Sequence, residues 1–380
     1  MQQVRLSAIK EILIPVTRRT TWVILEITDA EGAKTLIEVT KGNQQGDEVV
    51  ILVKELFQKL RNRPIENESE VCSVLGIDND RPTTDFILAT AISGLRSTVT
   101  QLKAVHNGVS LTEELGGVFT DKVPLYGNIN RALLGSRSPV AFGEMAERAV
   151  GMGFSTVKCA PFDEVNRELS VDESLQASEL GLARVAAVRS AIGDEVDLLV
   201  DCHSRFSPEV AKSVAHRLAE LNIGWFEEPL QPRTDSDRLS ALSKEIPVTM
   251  AGAEGIYGEN AFVDLVKKGS VSVIMPDIKH CGGVSDAFAA GRAAIALGAD
   301  VSLHSPSGPI SQLASAHVTA AIGGKRPLEH AIGEAEWRFE LFAPPERISN
   351  GYFHLPEGPG LGAELNLDAV RRHGGIIKDS

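Results

Sequence analysis

Three acidic residues, Asp201, Glu227 and Glu254, each follow a short apolar run, and they lie 26 and 27 residues apart. Asp277 and His304 continue the series at intervals of 23 and 27 residues. One strand, one helix and two loops take about that many residues in a (β/α)8 barrel, where chemistry sits at the C-terminal strand ends. Three carboxylates gathered there make a hard oxygen site suited to Mg2+. Asp277 and His304, one unit apart, are expected to meet across adjacent strand ends. An Asp on one imidazole nitrogen fixes the tautomer and raises the basicity of the other, as a general base near neutral pH requires. His203 stands two residues after Asp201. On a continuing strand it shares that residue's face, as a general acid in preference to a metal ligand or a hydrogen-bond donor to substrate. Arg205, the next same-facing position, is expected to neutralise the acids or hold a carboxylate. Lys158 closes another apolar run. A cation nearby and lost solvation lower a lysine's pKa, which would let it stabilise an enolate or shuttle a proton. Glu228, beside Glu227, points to the other face and supports the site from behind.

These groups need a scaffold that brings strand ends together. The first 120 residues read as an α+β unit: Thr20–Thr28 alternates, a turn follows at Asp29–Gly32, and Thr35–Val39 returns as a strand. Helical patterns cover Val49–Leu60 and Thr84–Leu102. From Val123 the chain alternates strand and helix: strands at Thr156–Cys159, Val196–Val200, Gly224–Phe226, Val248–Ala251, Val271–Met275 and Val301–Leu303 are separated by helical stretches, and Arg326–Glu329 reads as the last strand. Eight strands fit, and their unbroken apolar runs suit a parallel sheet buried on both faces. The predicted fold is a (β/α)8 TIM-like barrel over residues 121–345, with an α+β capping domain over 1–120 and a Pro/Gly-rich tail over 346–380 that packs on the cap.

The 380 residues carry a net charge of -13. That excludes a general nucleic-acid or anionic-membrane binder, since both need a positive field. The four cysteines, Cys72, Cys159, Cys202 and Cys281, are scattered, as expected of reduced thiols in a cytoplasm. No apolar run approaches the roughly 20 residues that span a bilayer, and the first residues lack a signal-peptide core. His106, His216, His317, His354 and His373 fall in helical or loop settings and read as structural or exposed; His280 and His330 lie nearer the expected cleft.

Lys158, Asp201, Glu227-Glu228-Pro229, Glu254, Pro276-Asp277, His304 and Glu329, in this order and spacing, resemble the enolase superfamily. The likeness covers nearly the whole chain, including the Pro359-Gly360-Leu361-Gly362 tail, and the Asp277–His304 pair resembles the mandelate racemase branch. The resemblance implies a capping domain over a modified TIM barrel, Mg2+ on Asp201, Glu227 and Glu254, and abstraction of the proton α to a carboxylate. Lys158 and a hydrogen bond donated by Glu329 would share in holding the enediolate. Two positions depart from the racemases. Lys158-Cys159-Ala160 lacks the second lysine of their Lys-x-Lys, and His203 stands where Asn is usual. Asp201-Cys202-His203-Ser204-Arg205 is similar to the acid-sugar dehydratases, in which the second histidine protonates the leaving β-hydroxyl. The expectation is an Mg2+-dependent sugar-acid dehydratase, a hydro-lyase, with Arg18 and Arg19 of the capping domain at the substrate's distal end. It acts on a small molecule and forms a homo-oligomer. The alternatives are an epimerase or other enolising enzyme, and a catalytically inactive metal-binding relative.

Overall fold

The computed structural model describes residues 3–18, 20–40, 46–78 and 81–379. Arg19, an expected substrate contact, lies outside the described residues. The chain opens with an antiparallel sheet of β1 (Leu6–Pro15), β2 (Thr21–Asp29) and β3 (Lys34–Glu38), followed by α1 (Gly46–Leu60), α2 (Glu70–Leu75), α3 (Phe86–Asn107) and α4 (Leu111–Glu114). β1 was not evident from the sequence. A register shift between Leu6 and Ala8 interrupts its alternation, so the period-2 signal is weak. Its place is fixed from both sides: β2 pairs along one edge, and the final strand, Ile376–Asp379, pairs along the other. α3 caps its start with Asp85, whose side chain accepts from Leu88 N, and ends at Gly108 in the left-handed conformation. Val53, Phe57, Ile92, Leu95 and Val99 from α1 and α3 close over Leu25, Ile27 and Ile37 to form the cap's own core.

The barrel runs β4 (Lys122–Asn128), α5 (Pro139–Gly151), β5 (Thr156–Cys159), α6 (Val171–Ile192), β6 (Asp197–Asp201), α7 (Pro208–Ala219), β7 (Trp225–Glu227), α8 (Pro232–Leu242), β8 (Met250–Gly252), α9 (Glu259–Lys268), β9 (Val273–Ile274), α10 (Val284–Ala296), β10 (Asp300–Val301), α11 (Pro309–Ile322) and β11 (Leu328–Ala331). The strands pair in parallel in chain order from β4 to β10, and β11 returns beside β4. A single backbone bond, Glu329 N to Leu303 O at 3.4 Å, links β11 to the residues after β10. Pro occupies the first turn of α5, α7, α8 and α11, where the missing N–H costs nothing. Ser138, Ser170 and Ser207 supply caps for α5, α6 and α7. Leu239–Lys244 reads as helical in the sequence, whereas α8 starts earlier, at Pro232, and is kinked at Asp235. Inside the barrel, Tyr126, Leu199, Trp225, Ala251, Val273 and Met275 form a separate buried layer.

The last unit departs from a full (β/α)8 repeat. After β11 comes only a short 3-10 turn, Arg338–Leu341, before the tail. There Tyr352–His354 adds antiparallel to the start of β4. Among the described residues, no helix is long and apolar enough to cross a membrane.

Candidate active site

The register of the barrel decides which acids become neighbours. Asp201 and Glu227 end β6 and β7 as directly paired residues. Glu254 follows β8, one turn beyond its last paired residue. That turn is unusual: Gly252 sits at φ +152 and Ala253 at φ +89. A Cβ on Gly252 would meet Glu228 Cγ at 2.8 Å, so the position requires glycine. Glu228 is itself at φ +39 and turns its buried carboxylate under the next strand end, where it accepts from Ala253 N at 2.9 Å, Glu254 N at 3.2 Å and Ser204 Oγ at 3.0 Å. It holds the Glu254 turn in place, the supporting position expected for it. Burial, then the like charge of Glu254, pushes its carboxyl up to about 7.

Lys158 is fully buried, with Nζ 2.7 Å from both Glu227 Oε1 and Glu329 Oε1 and 5.4 Å from the centre of the Tyr126 ring. Burial lowers its pKa, but the carboxylates of Glu227 and Glu329 outweigh burial and hold the ammonium well above its usual range. Glu329 accepts from Lys158, from Asn128 Nδ2 at 2.7 Å and from Ser305 N at 2.9 Å. Both its oxygens act as acceptors toward these protein groups. Glu227 takes a second bond from Trp225 Nε1 at 2.9 Å. Burial, opposed by Lys158 and reinforced by Asp201, Glu329 and Glu254, pushes the Glu227 carboxyl up to about 8.

The structure brings Asp277 and His304 together, Oδ2 to Nδ1 at 2.9 Å. Asp277 is completely buried and also accepts from Lys279 N at 2.9 Å. Although burial raises its carboxyl, Lys279, His280 and His304 hold it well below the usual carboxylate range. The other ring nitrogen of His304, Nε2, lies 2.8 Å from Glu254 Oε2 and 3.9 Å from Glu329 Oε2. Burial lowers the imidazole's pKa, but Glu254, Glu329 and Asp277 raise it well above its ordinary value. Carboxylates on both nitrogens describe an imidazolium, with both N–H groups donating.

His203 reaches Asp201 by a route the sequence did not suggest. β6 ends at Asp201, and His203 and Ser204 adopt φ +48 and +58. The strand-period argument therefore fails, yet the turn folds the ring back so that Nε2 lies 2.9 Å from Asp201 Oδ2, while His203 N donates to Oδ1 at 2.9 Å. The side chain is 48% exposed. The Asp201 carboxylate raises its pKa to about 9. Burial raises the Asp201 carboxyl, but His203 and Lys158 overcome this and hold it below the usual range.

Two residues expected near the substrate, Arg205 and Arg18, lie in different settings. Arg205 turns away from the acids and donates to the carbonyls of Phe162, Asp163 and Val165, tying down the loop after β5. Once the strand ends at Asp201, alternation no longer governs where Arg205 points. Arg18 is exposed in the turn between β1 and β2. The groups that do line a cavity of about 280 Å3 with His304 and Glu254 include Phe86, Arg233 and His280. His280 is a candidate the sequence left undecided. Its Nδ1 lies 2.9 Å from Thr90 Oγ1, its ring sits 4.3 Å from that of Phe86, and burial pushes its pKa down to about 3. Phe86 and Arg233 were missed, because neither a Phe at a helix start nor an Arg after Pro carries a chemical signature. His330 and His317 are buried structural histidines, the latter bonded to Thr112 Oγ1 and Leu361 O.

Five carboxyl groups, on Asp201, Glu227, Glu254, Asp277 and Glu329, thus pair with Lys158, Lys279, His203 and His304, while Glu228 is held by backbone N–H groups and Ser204. Among the described residues, no three His, Cys, Asp or Glu side chains converge as a closed ligand group. The convergence expected of Asp201, Glu227 and Glu254 is not reached in this conformation, because each is drawn to its own partner: His203, Lys158 and His304. The donor set nonetheless suits a hard divalent cation. It is all oxygen, buried at Asp201 and Glu227 and half-buried at Glu254, and carried on consecutive strand ends.

Residues 141–369 match the family described as enolase C-terminal domain-like. The chain belongs to the enolase superfamily. It is 30% identical over 289 residues to D-gluconate dehydratase of Thermoproteus tenax, covering 76% of this chain but 57% of that protein. It is 30% identical over 292 residues to D-xylonate dehydratase of Haloferax volcanii, covering 74% of this chain and 69% of the relative. Among solved structures, a mandelate racemase/muconate lactonizing enzyme from Jannaschia sp. CCS1 superposes with a TM-score of 0.83 at 21% identity, over 97% of each chain.

Proposed function

We propose that the protein is a magnesium-dependent hydro-lyase that converts a sugar acid to a 2-keto-3-deoxy acid. The observation that carries this reading is the pair of histidines, each anchored by its own aspartate, on either side of one carboxylate cluster. A β-elimination needs one base and one acid, and this arrangement offers both. Dehydratases among the relatives support the same class of reaction.

In this reading His304, with Asp277 on Nδ1, takes the C2 proton on Nε2. The C–H electron pair moves toward the substrate carboxylate, giving an enediolate. It then forms the C2–C3 double bond as the C3–oxygen bond breaks. His203 gives its proton to the departing oxygen, which leaves as water, and the enol tautomerises to the ketone. Asp201, Glu227 and Glu254 would hold Mg2+, which when bound stabilises the negative charge developing on the substrate carboxylate. His304 can accept a proton only when Glu254 no longer occupies Nε2, so the carboxylate that would bind a cation is the one that must release the base. Lys158, enclosed by Glu227 and Glu329, holds those two carboxylates rather than reaching the substrate.

An epimerase would need a second base on the opposite face. Ala160 cannot serve as one, and its backbone is already used, N to Asn130 Oδ1 at 2.7 Å and O from Arg137 Nη2 at 2.6 Å. The test is a panel of aldonic and aldaric acids with Mg2+, assayed for 2-keto products and, in D2O, for exchange at C2. Keto product from one acid supports dehydration. C2 exchange with no keto product would replace it with epimerisation or simple enolisation.

A further inference from the structure

Three arginines gather near the start of α8, and they differ in one respect. Arg167 and Arg238 share Asp235, at 3.5 and 3.2 Å. Arg233 has no carboxylate partner among the described residues; its Nη1 donates only to the backbone oxygen of Thr83 at 3.3 Å. It is also the arginine that lines the cavity shared by His304, Glu254 and Phe86. Thr83 and Phe86 belong to the capping domain, so the guanidinium bridges cap and barrel at the rim. A guanidinium satisfied by a neutral carbonyl keeps most of its donors and its full charge for another oxyanion, and its planar fork matches a carboxylate in a bidentate manner.

We propose that Arg233 is the specificity-determining residue of this cleft and that it binds a second carboxylate at the far end of the substrate. The preferred substrate is then an aldaric acid rather than an aldonic one. The inference rests on the dehydratase reading for the reacting end, and it sets this chain apart from the two relatives named above, whose names specify monoacids. The distal contact comes from the loop after β7 and from the segment leading into α3.

Calorimetric titration of the full-length protein in Mg2+ with matched pairs, galactarate against galactonate and glucarate against gluconate, tests it apart from turnover. In one pair at least, the wild type should bind the diacid at least tenfold more tightly. Arg233→Ala should remove that preference, Arg233→Lys should keep part of it, and Arg238→Ala, which alters a neighbouring but carboxylate-paired arginine, should leave it intact. Melting curves show whether each variant is folded. A wild type that binds no diacid, or that favours the monoacids, overturns the assignment, as does an unchanged ratio in Arg233→Ala. Turnover on the same panel separates the two readings. Arg233-dependent diacid binding without 2-keto product removes the dehydratase reading and leaves Arg233 in place. Keto product from monoacids at rates indifferent to Arg233 does the reverse.

Discussion

Two clusters of buried charge lie in this molecule, and they have opposite fates. One is the strand-end group of Asp201, Glu227, Glu254, Lys158 and His304. The other joins the domains: Arg96 on α3 meets Asp286 on α10 at 2.6 Å and Glu68 at 4.0 Å, with Tyr257 OH 3.2 Å from its Nη1. Both were taken out of water, at a cost that only pairing offsets. The interface cluster is enclosed by backbone: Glu68 Oε2 accepts from Ser285 N at 3.3 Å, and a Cβ on Gly283 would lie 2.8 Å from that oxygen. Nothing can enter. The strand-end cluster opens onto a cavity, and its acids outnumber its cations. Burial among partners from both domains fastens them together; burial of charge beside a cavity makes a site.

The comparison breaks most visibly at the base. His304→Ala should lower 2-keto product formation by at least ~1,000-fold in protein shown by its melting curve to be folded at the assay temperature, near the upper range for general-base catalysis. A loss below tenfold would remove His304 from its assigned role. Next comes Lys158→Met, which leaves Glu227 and Glu329 buried without a cation. The expected destabilisation is about 3–5 kcal/mol by denaturant unfolding. Arg96→Leu should cost about the same, but with sugar-acid kinetics at permissive temperature close to wild type, because its cluster is apart from the residues that line the His304–Glu254 cavity. If activity collapses with Arg96→Leu alone, the division between the clusters is wrong.

A subtler test uses pH. Burial, opposed by Arg96 and reinforced by Asp286, pushes the Glu68 carboxyl from its ordinary 4.5 up to about 7. A raised carboxyl means that the folded state keeps a proton the unfolded chain has released. The stability gained is fully present below about pH 4.5 and is lost as pH rises through about 7. Glu68→Gln should therefore melt near the wild type at pH 5 and above it at pH 8, by an amount on the order of 1 kcal/mol. A variant less stable than wild type at pH 8 would mean that the Arg96 pairing outweighs burial. The smallest effect is expected at Glu38, whose two oxygens accept from Gly308 N at 2.8 Å and Ser311 N at 3.0 Å at the start of α11. Gly308 must be glycine, since a Cβ would meet those oxygens and Trp22 at 2.8 Å. Glu38→Gln keeps one acceptor and should cost about 1 kcal/mol, read by thermal melting.

Which residues meet which was legible where a repeating period governed it. The 26- and 27-residue spacing put Asp201 and Glu227 in direct register and Glu254 at the next strand end, and one further unit brought His304 to Asp277. Those distances follow from strand and helix lengths alone, which local sequence dictates. Period failed where the chain left its strand. His203 sits in a left-handed turn rather than on an extended face, and Arg205 leaves the cleft for three carbonyls. α8 began early because Pro232 and the Gln231 side chain start it, signals weaker than the apolar stripe further on. The charge state of the site was likewise beyond reach of the sequence. Lys158 is cationic because Glu227 and Glu329 close around it, and Glu329 accepts because Asn128 and Ser305 donate to it. By itself, the sequence determined a barrel with acids and a histidine at its strand ends, since periodicity is a local property. Tertiary structure alone decided the partners of each charged group and the placing of Arg233 and Phe86 at the rim, because those depend on elements far apart in the chain meeting in a low-dielectric interior.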